Sequence, residues 1–159
     1  MKLDVFRIGA ILATATLTAL ASTACRAGGP APVHPKAVQH SELVGRWDGD
    51  PKCGSPVLRL RDDYTFSGKG VPVAWDGPIP DAKVTRRSAD GKWHAVNEDP
   101  GLPPYLVLRF DHQNDHQILS FTLEQGKLLM DGSVTADGGD PYSYSCDYRR
   151  TSADPDFDR

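Results

Sequence analysis

From residue 41 to residue 150 apolar side chains recur at every second position, and no other feature of the chain constrains its fold as much. Leu58 and Leu60 alternate with Arg59 and Arg61, and Tyr64 and Phe66 with Thr65 and Ser67. Leu106, Leu108 and Phe110 share a face opposite Arg109. Leu119, Phe121 and Leu123 alternate with Ser120, Thr122 and Glu124, and Tyr142, Tyr144, Cys146 and Tyr148 with Ser143, Ser145 and Asp147. A strand points successive side chains to opposite faces, so this pattern sets one face on a core and the other in water, as in antiparallel sheets. Helices need a period of 3.6. Only a single helical turn at Ser41–Val44, with Ser41 as its cap, is expected.

Turn-forming residues divide the runs: Asp62-Asp63, Asp90-Gly91, residues 111–115, Gln125-Gly126 and residues 137–140. About eight strands follow, at 43–49, 56–61, 64–69, 83–88, 92–97, 105–111, 117–124 and 127–134 merging toward 141–149. Segment 71–82 carries Pro72, Pro78 and Pro80 with Trp75 and Gly77, and reads as a long loop, where binding is often placed. A weak echo runs through the chain. Gly45-Arg46-Trp47 precedes Val57–Leu60 as Gly91-Lys92-Trp93 precedes Val107–Phe110, which fits a meander whose halves open alike.

Composition narrows the function. With 39% hydrophobic and 25% charged residues the chain suits one folded domain and neither a disordered nor a collagen-like chain. A net charge of −3 leaves no basic stripe for nucleic acid. No Gly-x-Ser-x-Gly elbow and no phosphate-cradling glycine loop is present, so neither an enzyme nor a cofactor is expected. The densest polar cluster is Asp111–His116. His112 and His116 stand at a spacing that suits a metal on a helix, but in a hairpin loop it has no fixed geometry. A solvated turn is expected there, with a metal-dependent enzyme as the lesser alternative.

The N-terminal residues read as an address. Lys2 and Arg7 precede an apolar run from Ile8 to Leu20, too short to span a bilayer, followed by Ala21-Ser22-Thr23-Ala24 and Cys25. Residues 1–25 resemble a bacterial lipoprotein signal, in which the cysteine becomes the lipidated N-terminus. The resemblance implies cleavage after residue 24, palmitate-type acyl chains on Cys25 and a membrane anchor on the extracytoplasmic face. Ser22-Thr23-Ala24 also fits ordinary signal-peptidase cleavage, so plain secretion is the alternative. Residues 25–40, with three prolines and two glycines, read as a flexible linker spanning on the order of 20 Å. The domain is expected at 41–150, and residues 151–159 as a frayed acidic tail. Asp154, Asp156 and Asp158 alternate like the start of a calcium loop whose remainder is missing.

Ser41–Trp47 resembles the opening of lipocalin-like barrels, with Gly45 two residues before Trp47 after a short helical turn. Leu58–Phe66 and Gly91-Lys92-Trp93 resemble segments of small lipocalin-like lipoproteins of unassigned function. The resemblance implies a closed barrel and a late arginine over the first tryptophan, for which Arg149 or Arg150 is the candidate. With Cys25 taken as the lipid site, Cys53 and Cys146 remain. Outside the cytoplasm such a pair is usually bonded, and first and last strands of a closed barrel are neighbours. One bridge over a loop of about 94 residues would contribute about 4–5 kcal/mol. Two free thiols are the alternative.

If Tyr142, Tyr144 and Tyr148 point inward, they line with Phe66, Phe110 and Phe121 a semi-polar lumen that holds one small apolar or semi-polar ligand. Plain core packing is the alternative. Trp75 and Trp93 complete the candidate binding set. The expected protein is a monomeric, non-catalytic, lipid-anchored binding barrel. Its rival is an envelope lipoprotein that binds or inhibits another protein through 71–82, a layout similar to that of small barrel lipoproteins that inhibit lysozyme.

Overall fold

Gly45–Gly49 forms strand β1, with Gly45, Trp47 and Gly49 buried and Arg46 and Asp48 turned toward solvent. The computed structural model describes residues 31–76, 83–111, 116–132, 134–135 and 143–158. It divides into two units, Met1–Ala31 and Pro32–Arg159. The strands belong to the second, and the signal-like segment and Cys25 lie outside the described residues.

β1 pairs with β2 (Val57–Leu60), and the chain continues through β3 (Thr65–Asp76), β4 (Lys83–Val96), β5 (Tyr105–Phe110), β6 (His116–Glu124) and β7 (Lys127–Asp131). A short ribbon of β8 (Val134–Thr135) and β9 (Ser143–Tyr144) precedes β10 (Asp147–Ser152). The barrel closes in the order β1-β10-β7-β6-β5-β4-β3-β2, every neighbour antiparallel. This is the expected eight-stranded up-and-down barrel, its antiparallel strands following from the period of two and its closure from the lipocalin-like resemblance.

Three strand boundaries differ from expectation. Segments 83–88 and 92–97 are one strand, and Asp90-Gly91 is no turn. Gly91 pairs with Phe66 on one side and Phe110 on the other, and a Cβ there would stand 2.1 Å from the Arg109 carbonyl oxygen. The glycine serves close approach inside a sheet. Residues 71–76 are the second half of β3, paired with 83–87, so the long loop of 71–82 is a strand for half its length. Its proline is tolerated because the register shifts on both sides of it, between Gly68 and Val71 and between Pro72 and Ala74. The last run breaks at Ser145-Cys146, and the final strand reaches Ser152, two residues into the expected tail.

The expected linker and tail are folded from Pro32 onward. Val33 bridges Leu123, and the His34 ring nitrogen Nδ1 lies 2.8 Å from the Phe121 carbonyl. The backbone of Val38 exchanges two hydrogen bonds with the Asn97 amide, at 2.8 and 3.0 Å. These bonds hold residues that lack bulky side chains, which composition alone reads as loose. In the tail Arg61 meets Asp156 and Arg46 meets Asp158, each at 3.4 Å, and Asp154 accepts from the Asp156 backbone. The three alternating aspartates are therefore occupied by arginines and a turn.

Antiparallel strands send successive connections to opposite ends. One end carries the helical turn α1 (His40–Leu43), the β2–β3 turn, the β4–β5 loop, the β6–β7 turn and the tail. The other carries the β1–β2, β3–β4, β5–β6 and β7–β10 connections and the disulfide Cys53–Cys146, with Cα atoms 5.8 Å apart. Between them Trp47, Phe66, Trp93, Phe121, Met130 and Tyr148 interleave with the leucines of β2, β5 and β6, all essentially inaccessible. Each such side chain contributes on the order of 2 kcal/mol when buried.

Candidate functional site

At the helix end the chain seals the barrel with its own polar atoms. Leu43 is fully buried, and the Trp47 indole donates to its carbonyl at 2.7 Å. The turn is capped by Gln39, whose backbone N–H donates to Glu42 Oε2 at 2.7 Å, and not by Ser41. Arg150 donates to the Ser41 carbonyl at 3.2 Å and to that of Val44. Gly45 makes room for it, since a Cβ there would lie 2.8 Å from Arg150 Nε. Arg150 faces Trp47 across β1 and β10. Of the two arginines considered for that position, Arg150 is thus the cross-strand partner of Trp47, and Arg149 is paired with Glu124. That hydrogen bond holds the Glu124 carboxyl below its ordinary range and raises the Arg149 guanidinium.

Outside this seal lies an aromatic ledge. Trp93 is buried and donates from its indole to the Arg61 carbonyl at 3.1 Å. The His40 ring stacks on it with centroids 5.0 Å apart, and Tyr64 leans on both rings at 4.6 and 5.4 Å. His40 Nε2 lies 2.9 Å from Asp62 Oδ1. Tyr64 is half exposed and has φ of +64°, a left-handed conformation that a bulky residue rarely takes. The turn enforces it. Asp63 accepts from the Thr65 backbone and hydroxyl, at 3.0 and 2.6 Å, which lowers its own pKa, and the Tyr64 carbonyl accepts from Trp93 N–H. His40 and Tyr64 were absent from the residues picked out by sequence. The available signal was Asp62-Asp63-Tyr64, a tight turn between two strands with no glycine to take the left-handed position.

At the disulfide end the upper half of β3 bends over the barrel mouth. Val71 and Pro72 are buried, and Pro72 O accepts from Gln117 Nε2 on β6 at 2.9 Å, three strands away around the barrel. Arg86 on β4 donates to the Cys53 carbonyl at 3.0 Å, and the Arg87 guanidinium stands 5.8 Å from the centre of the Phe110 ring. Gln117 is 8% exposed, and its Oε1 has no hydrogen-bond partner among the described residues.

Of the remaining sequence-picked residues, Phe66 packs edge-on against Phe110 in the core with Tyr148 and Trp93. Tyr144 pairs through its backbone with Val134 on the separate β8–β9 ribbon, and Trp75 with Val84 on β4. Tyr142 and His112 lie outside the described residues. Of the six candidates, Phe66, Trp93 and Tyr148 thus share the core, while Tyr142 and the side chains of Trp75 and Tyr144 lie outside what the structure describes. No group of three metal-ligating side chains occurs among the described residues. No family model, no curated protein and no solved structure matches the chain.

Proposed function

We propose that this chain is a lipid-anchored, extracytoplasmic, lipocalin-like barrel that acts without catalysis and binds its partner on its outer surface. The observation that carries the surface reading is the interior. Trp47, Phe66, Trp93, Phe121 and Tyr148 occupy the space where a lipocalin-like barrel would take a ligand, each 2% exposed or less. Protein interiors pack at the density of organic crystals, and such a filled barrel leaves recognition to its ends and faces. The signal-like residues 1–25 support the anchor, with Cys25 as the acylated residue. Two or more acyl chains are needed for stable attachment, since one alone binds only marginally.

One observation favours a second reading, a small ligand at the mouth of the barrel. The unpartnered Gln117 Oε1 is a buried acceptor, which a ligand's donor group would satisfy. Native mass spectrometry of the purified protein decides between them. The surface reading expects the mass of the chain alone with its lipid; a stoichiometric co-purified small molecule overturns it. Metabolic labelling with a fatty-acid analogue tests the anchor, with label expected on wild type and lost in Cys25→Ala. Label retained in that variant overturns acylation at this position.

A further inference from the structure

The helix end has an uneven surface. Five large apolar side chains stand exposed among the described residues, and four of them gather there: Tyr64, Leu102 and Phe157 in its connections, and Val33 where it bridges Leu123. Single exposed apolar residues are ordinary, but a set at one pole of a barrel marks a binding face.

Charge distinguishes the occupant. Among the described residues the connections of this end hold eight carboxylates (Glu42, the Asp62-Asp63 pair, the Glu98-Asp99 pair and three aspartates of the tail) and one arginine, Arg61, while Arg46, Lys127, Arg149 and Arg150 of the adjoining strands supply the opposing positive charge. Asp156 and Asp158 are met by Arg61 and by Arg46 of β1. Asp63 and Asp99 are held by the hydroxyls of Thr65 and Tyr105. Those bonds orient the two carboxylates. The side chain of Asp62 is 90% exposed beside the His40 and Tyr64 rings. Backbone strain at an exposed aromatic is a second sign. The left-handed conformation of Tyr64 is strained, and such positions cluster at functional sites.

We propose that the helix end, centred on Tyr64, is the docking face for a cationic protein segment, one that presents arginine or lysine next to apolar residues. The Tyr64 ring offers its face to a guanidinium or ammonium group, and the carboxylates around it attract and orient the segment. A lipid surface fits the same apolar residues, but the carboxylates oppose it, since anionic headgroups repel them. This inference rests on the surface-binding reading above and names its face and partner.

The test uses the full chain carrying Cys25→Ser, so that no acyl group takes part and the anchor is not at issue. The probe is a synthetic peptide of alternating arginine and leucine, with a glutamate-for-arginine peptide as its control. Backbone NMR shifts on titration should centre on Tyr64, His40, Glu98 and Phe157, with saturation by the basic peptide only. Tyr64→Gly keeps the left-handed turn and removes the ring, and should weaken binding about fivefold, while Tyr64→Phe should match wild type. Glu98→Gln should weaken it by about twofold, and the distant Ile118→Ala should leave it unchanged. Shifts centred on Gln117 and Phe110 overturn the proposal in favour of a site at the mouth. Absence of saturation, equal affinity of Tyr64→Gly and wild type, or tighter binding to phosphatidylglycerol vesicles than to the peptide also overturns it.

Discussion

Replacing Cys53 and Cys146 together by alanine tests how the barrel is held closed. The bridge ties the connection after β1 to the residue before β10 across a sequence separation of 93. Releasing a loop of that length returns about 4.7 kcal/mol of chain entropy to the unfolded state at 25 °C. Both cysteines are fully buried, so lost packing adds to this, while residual order in the unfolded chain subtracts from it. A net loss of about 3–5 kcal/mol is expected, a large part of the 5–15 typical of a domain. At about 3–5 °C per kcal/mol for a barrel of this size, the thermal midpoint should fall by about 10–25 °C. The barrel should still fold below that midpoint, because β1 and β10 pair directly from Trp47 to Gly49. Urea unfolding followed by tryptophan fluorescence measures it, since Trp47 and Trp93 are both buried. Reduced wild type and the double variant should unfold together, well below the oxidised protein. A double variant within about 1 kcal/mol of the oxidised protein would refute the argument that the bridge restrains the unfolded chain.

Other expectations are equally direct. Gly91→Ala places a Cβ 2.1 Å from the Arg109 carbonyl oxygen and 2.7 Å from Phe66, and should destabilise by about 2–4 kcal/mol in urea unfolding. Gly126→Ala meets nothing within 4 Å and pays only for its φ of +76°, about 1 kcal/mol; equal losses would return Gly91 to a turn. Arg150→Ala strips the Ser41 and Val44 carbonyls of their donor and should lose about 1–3 kcal/mol, whereas Arg149→Ala, on the solvent side, should lose under about 1. Thermal midpoints that rank Arg149→Ala as the worse variant would reverse the assignment. For pH, Asp63 and Glu124 are both depressed in the folded state by their hydrogen bonds. Their contribution is complete above the unfolded carboxylate range near about pH 4 and is lost as pH falls through the lower folded values. Stability measured from pH 6 down to 2 should therefore decline, and the decline should be shallower in a variant carrying Asp63→Asn and Glu124→Gln.

Much of the barrel was legible because its core strands alternate without interruption. Leu58-Arg59-Leu60 and Leu119 to Leu123 carry their burial in their spacing, and they appear as β2 and β6. Asp90-Gly91 misled because the same dipeptide serves a turn or a close strand contact, and only neighbouring strands decide which. Pro72 misled for a related reason: proline argues against a strand until a shift in register accommodates it. The linker misread has another cause. Residues 32–40 are held by backbone groups of β6 at Val33 and His34 and by the Asn97 side-chain amide at Val38, and composition carries no record of such partners.

The candidate face was less legible than the fold. Trp93 was visible as an aromatic in a strand, yet its indole turned out to be sealed beneath His40 and Tyr64. Neither of those two stood out, since one lay in an expected linker and the other in an alternating run. Arg149 and Arg150 were interchangeable in the sequence, adjacent and identical in kind. Strand pleating sends neighbours to opposite sides, and the pairing of Arg150 with Trp47 decides between them.

By itself the sequence determined the all-β class, the approximate number of strands and the inward faces of β2, β5 and β6. These follow from local periodicity, which each strand carries within its own few residues. Only the tertiary structure decided which strands meet, that β3 bends across the mouth, and that carboxylates and exposed aromatics from four separate connections share one end. Those features depend on closure of the barrel, which brings together residues up to about a hundred positions apart, and no local pattern encodes that distance.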